Sequence, residues 1–188
     1  MQRNLTWVGA LILLMVPFIS NSEETKASKQ IAEGDIPFLL NYANLENPYG
    51  EVVLSNEHVV LQKLVVGPGE WEGVHSHPGN QMYVHIRGGL WSGRMAGKLE
   101  YTGPADADGA VGWMDAIPFS AGHDSGNSGD APIELIYVTM KSDTPLTPDV
   151  EQSPQTYPNI PMEVVMENDR LIAQRLMIEP GQWTGIHN

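Results

Sequence analysis

The chain predicts an all-β domain, a small barrel or sandwich, on three observations. From Glu51 onward the sequence breaks into short runs rich in Val, Ile, Leu and Tyr. Pairs of Gly, Pro, Asn, Asp and Ser separate those runs. No segment of this region sustains a 3.6-residue apolar period long enough for a helix.

The strands are expected at Val59–Val66, Gln81–Ile86, Leu90–Met95, Val111–Met114 and Ile133–Met140. Turns are expected at Pro68-Gly69, Pro78-Gly79, Gly88-Gly89, Asp108-Gly109 and Ser128-Gly129. Upstream, Glu23 to about Lys29 is polar and without periodicity, a flexible lead-in. At the amino end Arg3 precedes an apolar stretch from about Leu5 to Ile19, and Ser20-Asn21-Ser22 offers small residues for cleavage. Residues 1–22 therefore read as a secretory signal. A retained anchor is the competing reading, but the run falls short of the ~20 apolar residues of a comfortable span.

Composition narrows the partners. The 188 residues carry 23 acidic and 10 basic side chains, a formal net charge of −13. Such a surface repels nucleic acid and anionic membranes. There is no cysteine, which excludes disulfides, thiolate metal ligands and cysteine nucleophiles, and suits an oxidising compartment.

The residues that carry chemistry are histidines. His75 and His77 form an H-x-H pair, and on a strand residues i and i+2 face the same way. A third histidine, His123, brought in by a different strand, can complete one side of a metal coordination sphere. The spacing is more particular than a bare pair. Gly69, His75, His77, Gln81 and Gly88 form a first block; Gly112, Pro118, Ser120, His123 and Asn127 form a second. This arrangement resembles the two-part signature of the cupins, small antiparallel β-barrels (double-stranded β-helices, or jelly rolls) that usually hold a divalent metal. The resemblance covers about residues 51–141. It departs at Gln81, where the family usually has glutamate, and at Ser120, where it usually has glycine.

What the resemblance implies is a metal shell of His75, His77, Gln81 and His123. Gln81 either binds directly or hydrogen-bonds a bound water. Without thiolates, imidazole and amide donors suit Fe, Mn, Ni, Co or Zn. A glutamine cancels no charge, so the ion keeps its double positive charge and favours anionic ligands. Tyr83 and His85 share the parity of Gln81 and are expected to point inward. They are candidate catalytic residues, a hydrogen-bond donor and a general acid or base; the alternative is a packing tyrosine and a core histidine. Asn127 is expected to fix the loop carrying His123.

Beyond Ser142 the chain repeats itself. Pro145, Pro148, Pro154, Pro158 and Pro161 mark residues 143–162 as a linker. Residues 163–188 then match residues 51–76 at a constant offset of 112, with eleven identities in twenty-six positions. Trp71 recurs as Trp183 and His75 as His187, so Trp71 belongs to the framework. A fixed-period repeat points to duplication. The expected organisation is a signal (1–22), a lead-in (23–45), a cupin domain (46–142), a linker (143–162) and a truncated start of a second, bicupin-like copy (163–188). The repeat is either part of a longer product or an addition of strands to the first barrel's sheet.

Two classes of function remain open. One is a periplasmic or secreted metalloenzyme of dioxygenase, isomerase or lyase type, acting on a small oxygenated or anionic molecule. The other is a non-catalytic module whose metal or cavity captures a small ligand. The expected partner in both is a small molecule, with no nucleic acid, no stable membrane insertion after cleavage, and homo-oligomers through sheet edges.

Overall fold

The structure, a computed structural model, describes residues 31–43, 49–142 and 157–186. The expected signal (1–22), most of the expected linker (143–162) and His187 lie outside them. The chain order is a short 3-10 turn (Glu33–Phe38), then β1 (Asn41–Tyr42), β2 (Glu51–Ser55), β3 (Val59–Val66), β4 (His75–Ser76), β5 (Gln81–Arg87) and β6 (Trp91–Met95). It continues with β7 (Lys98–Thr102), β8 (Val111–Met114), β9 (His123–Asn127) and β10 (Ile133–Met140). A hairpin of β11 (Met162–Glu167) and β12 (Ile172–Leu176) follows. All five expected strands are present, within one residue at each end.

The pairing is nested. β6 pairs with β7, β5 with β8 and β3 with β10, all antiparallel. The segment leading into β4 lies along β9, through Glu72 N–H to the Ser125 carbonyl and Asn127 N–H to the Glu70 carbonyl, both 2.9 Å. This is one long hairpin rolled on itself, the jelly-roll arrangement. Its innermost turn, Ala96-Gly97, has positive φ at both residues (48° and 76°), the backbone that a two-residue hairpin with matching strand twist requires.

The roll gives a five-stranded sheet, ordered β2-β3-β10-β5-β8, and a three-stranded sheet, β7-β6-β9. β10 alternates strictly, with Ile133, Leu135, Tyr137 and Thr139 buried, as a sheet with one inner face demands. Leu40 and Tyr42 pack with Ile133, Leu135 and Tyr137 in the core. The domain therefore takes in residues upstream of 46, the expected boundary: β1 pairs with β4, setting Tyr42 opposite His75. The chain alone gave little sign of this, because β1 is two residues long.

The C-terminal hairpin reproduces the start of the domain. β2 and β3 register Glu51 with Lys63 and Val52 with Gln62, then shift so that Leu54 meets Leu61. β11 and β12 register Glu163 with Arg175 and Val164 with Gln174, then shift so that Met166 meets Ala173. The connecting turns agree too. Asn56 Oδ1 accepts from the N–H groups of His58 and Val59, and Asn168 Oδ1 from those of Arg170 and Leu171. Among the described residues β11 and β12 form a sheet of their own and do not extend the first domain's sheets.

Candidate metal centre and adjoining pocket

The two-part spacing works because the roll brings β4 beside β9. Gly73, at φ 81°, turns the chain into β4, and its carbonyl lies 2.8 Å from His75 Nδ1. His77, two residues on, is bridged to Ile117. On the other side a 3-10 turn at Phe119–Ala121 ends in Gly122 in the left-handed conformation, and His123 opens β9 directly after it. A side chain at 122 would bring its Cβ to 3.0 Å from the Ala96 backbone, so the turn needs glycine there.

His75, His77 and His123 are all buried. Each offers a ring nitrogen within 4.8 Å of the other two. The ring centroids stand 4.7–5.1 Å apart, edge to face or tilted. His75 Nε2 lies 3.1 Å from His77 Nε2. Behind them, His75 Nδ1 donates to the Gly73 carbonyl and His77 Nδ1 to Gln81 Oε1, 2.9 Å away. With both Nδ1 atoms donating, both Nε2 atoms present bare lone pairs to one another. Burial lowers the pKa of His75 to about 3, against the opposing effect of its backbone hydrogen bond, and that of His77 to about 4. Burial lowers His123 as well. Two facing lone pairs that resist protonation are a site for a different cation, and neutral imidazoles are the form that binds metal. The donors present fit a divalent ion.

Gln81 is fully buried and stands behind His77. Its amide nitrogen donates to Thr139 Oγ1 at 2.8 Å, so both ends of the amide are engaged by protein. Asn127 holds the end of β9: its amide donates to the carbonyls of Val66 and Ala131 and accepts from Gly129 N–H. Trp71 packs on Gly126 and under the Arg94 guanidinium, 3.3 Å from the ring centroid.

A cavity of about 230 Å³ opens beside the imidazoles, with His77, His123, Tyr83, His85, Tyr137 and Glu72 among its walls. Tyr83 and His85 thus both reach it, as strand parity predicts. Tyr83 sits opposite Gly112, whose missing side chain leaves room for the phenol ring. His85 is 1% exposed, and its Nε2 lies 3.4 Å from Asp106 Oδ2. Burial lowers the pKa of His85, and the Asp106 carboxylate works against that.

Among the pocket residues that sequence reasoning did not assign to a site are Glu72, Asp106 and Ser125. Ser125 Oγ is 3.2 Å from His123 Nε2. Glu72 is 1% exposed at its side chain, with Oε2 3.5 Å from His75 Nε2 and 3.2 Å from the Tyr42 hydroxyl. Its Oε1 is buried without a hydrogen-bond partner. Burial pushes its carboxyl up to about 8, so without a cation the contact with neutral His75 is not an ion pair at neutral pH.

The rolled hairpin and its three inward imidazoles define an all-β double-stranded β-helix with a candidate metal centre. The chain is similar in part to several solved structures. A cupin domain from Bordetella pertussis is 20% identical, with 48% of this chain and 90% of that one covered and a TM-score of 0.40. A double-stranded β-helix protein from Klebsiella pneumoniae is 21% identical, with 61% and 92% covered and a TM-score of 0.36. A predicted oxalate decarboxylase from Thermotoga maritima is 21% identical, with 47% and 75% covered and a TM-score of 0.31. No protein-family profile and no curated protein sequence matches the chain.

Proposed function

We propose that this chain is a secreted, metal-dependent enzyme of the cupin type, acting on a small oxygenated or anionic molecule in the cavity beside His77 and His123. The observation that carries the reading is the convergence of the His75 and His77 Nε2 atoms, 3.1 Å apart and buried, with His123 closing the group. A divalent ion held there, of Fe, Mn, Ni, Co or Zn, supplies Lewis acidity to an oxygen of the substrate. Gln81 holds the His77 ring from behind instead of reaching inward, the usual arrangement for a partner that sets a ligand's tautomer.

The chain's own groups favour an enzyme over a capture module. The cavity is smaller than the ~300–1,000 Å³ of pockets for drug-sized ligands, so the molecule that fills it is small. Tyr83 donates a hydrogen bond to a substrate oxygen. His85 accepts a proton, and Asp106, 3.4 Å from Nε2, stabilises the imidazolium that results. The chemistry among dioxygenase, isomerase and lyase is set by the substrate, and export follows from the signal-like residues 1–22.

The test has two arms. Elemental analysis of the protein from its native compartment should find about one divalent ion per chain, absent from His123→Ala. Tyr83→Phe and His85→Gln should keep the ion and lose turnover of small hydroxy- and oxo-acids. Retention of metal by His123→Ala would sink the metal reading; full turnover by both pocket variants would leave a binding module.

A further inference from the structure

We infer that Glu72 is the carboxylate donor of the metal centre. The inference rests on the metal reading above. It is drawn from what surrounds the Glu72 side chain.

Glu72 Oε2 lies 3.5 Å from His75 Nε2, the nitrogen that faces His77. Metal–nitrogen and metal–oxygen bonds of about 2.0–2.2 Å place neighbouring donors roughly 3.0–3.6 Å apart, depending on geometry. The separations His75–His77 (3.1 Å) and His75–Glu72 (3.5 Å) both fall in that range. The carboxylate also shares the cavity with His77 and His123.

The second observation is the orphan. Oε1 of Glu72 is buried with no hydrogen-bond partner, although its side chain is only 1% exposed. A buried carboxylate with a bare oxygen is costly unless a cation meets it. Tyr42 supplies one hydrogen bond, to Oε2, which aims the group and leaves Oε1 free. At position 81, by contrast, the amide oxygen faces His77 Nδ1 and the nitrogen faces Thr139. Both ends of the Gln81 amide are engaged by protein, whereas Glu72 sets Oε2 beside His75 and keeps Oε1 without a hydrogen-bond partner.

The local backbone explains how Glu72 gets there. Its N–H pairs with the Ser125 carbonyl on β9, which carries His123. Gly73, at φ 81°, then bends the chain so that Glu72 and His75 converge. One carboxylate on a divalent ion leaves a single net positive charge, which favours a monoanionic substrate.

The full chain, stripped of metal and titrated with Co(II), tests this. Wild type is expected to bind Co(II) with a defined visible ligand-field spectrum. Glu72→Gln, which preserves shape, should weaken Co(II) by more than the ~10–100-fold typical of partners that only sit behind a ligand, and should shift the visible bands. Glu72→Ala should behave likewise and regain the wild-type spectrum when formate is added. Near-ultraviolet circular dichroism, unchanged in both variants, guards against misfolding. If Glu72→Gln binds Co(II) with wild-type affinity and spectrum, the inference is overturned and the metal reading stands. If wild type itself fails to bind Co(II), both fall together.

Discussion

At the scale of the residue, the centre depends on which atoms are left bare. Gln81 leaves His77 Nε2 bare by occupying Nδ1, and Thr139 in turn holds Gln81. Replacing Gln81 with glutamate puts a carboxylate behind an imidazole, which raises the ring's basicity. Gln81→Glu is expected to tighten divalent metal binding by about 10-fold and to weaken an anionic substrate, as calorimetric titration of both ligands will show. Equal metal affinity in the two proteins would mean that position 81 does not act on the centre. The same residues set a pH dependence in the metal-free protein. His75 and His77 have pKa values lowered from 6.5 to about 3 and about 4. Their contribution to stability is full above 6.5 and is lost as pH falls through the folded values. Glu72 is raised from 4.5 to about 8, so its contribution is full below 4.5 and is lost as pH rises through 8. Urea midpoints of the chelated protein should therefore decline between pH 6.5 and 8, and Glu72→Gln should remove that limb. The imidazoles were legible in the sequence because the H-x-H spacing has a geometric meaning on a strand. Glu72 was not, because Trp71-Glu72-Gly73 reads as connecting chain until β9 is seen beside it.

At the scale of the element, strands were legible where side chains advertise them. β3 and β10 are rich in Val, Ile and Leu. β9 is His-Asp-Ser-Gly-Asn, a composition that intrinsic preference places in turns. It is a strand because β6 pairs with it along its whole length, and nothing local announces that. β7 is exposed at every position, so it lacks the alternation that reveals a half-buried strand. Glycine on β8 has a specific use. A Cβ at Gly112 would fall 2.1–2.6 Å from the ring atoms and hydroxyl of Tyr83, which would have to swing away. Gly112→Ala is expected to retain metal, since β4 and β9 are untouched, and to lose most of the turnover that depends on Tyr83. Metal loss in this variant, read by elemental analysis, would show that β8 supports the imidazoles and not only the phenol.

At the scale of the whole molecule, His75, His77, Gln81, His123 and Glu72 all precede residue 143, so the proposed centre is complete in the first domain. The C-terminal hairpin repeats the opening register of that domain, yet leaves Trp183 83% and Ile186 97% exposed. Trp71, their counterpart's anchor, has Gly126 to lie against; Trp183 has no such seat among the described residues. A chain ending near Ser142 should keep its full metal content and elute as a smaller, less associating species in size-exclusion chromatography than the 188-residue chain. Metal loss on that truncation would make the hairpin part of the first domain. The nested pairing has a further consequence, for the order of events in folding. The β6–β7 turn closes a very short loop, whereas β4 and β9 are joined by the whole of β5 to β8. Loop closure favours the inner pair first, and the outer strands can only zip up around it. His75 and His123 therefore meet late, when most of the roll has formed. Capture of the proposed ion would report on a nearly finished fold, and a cation could not act as an early template for it.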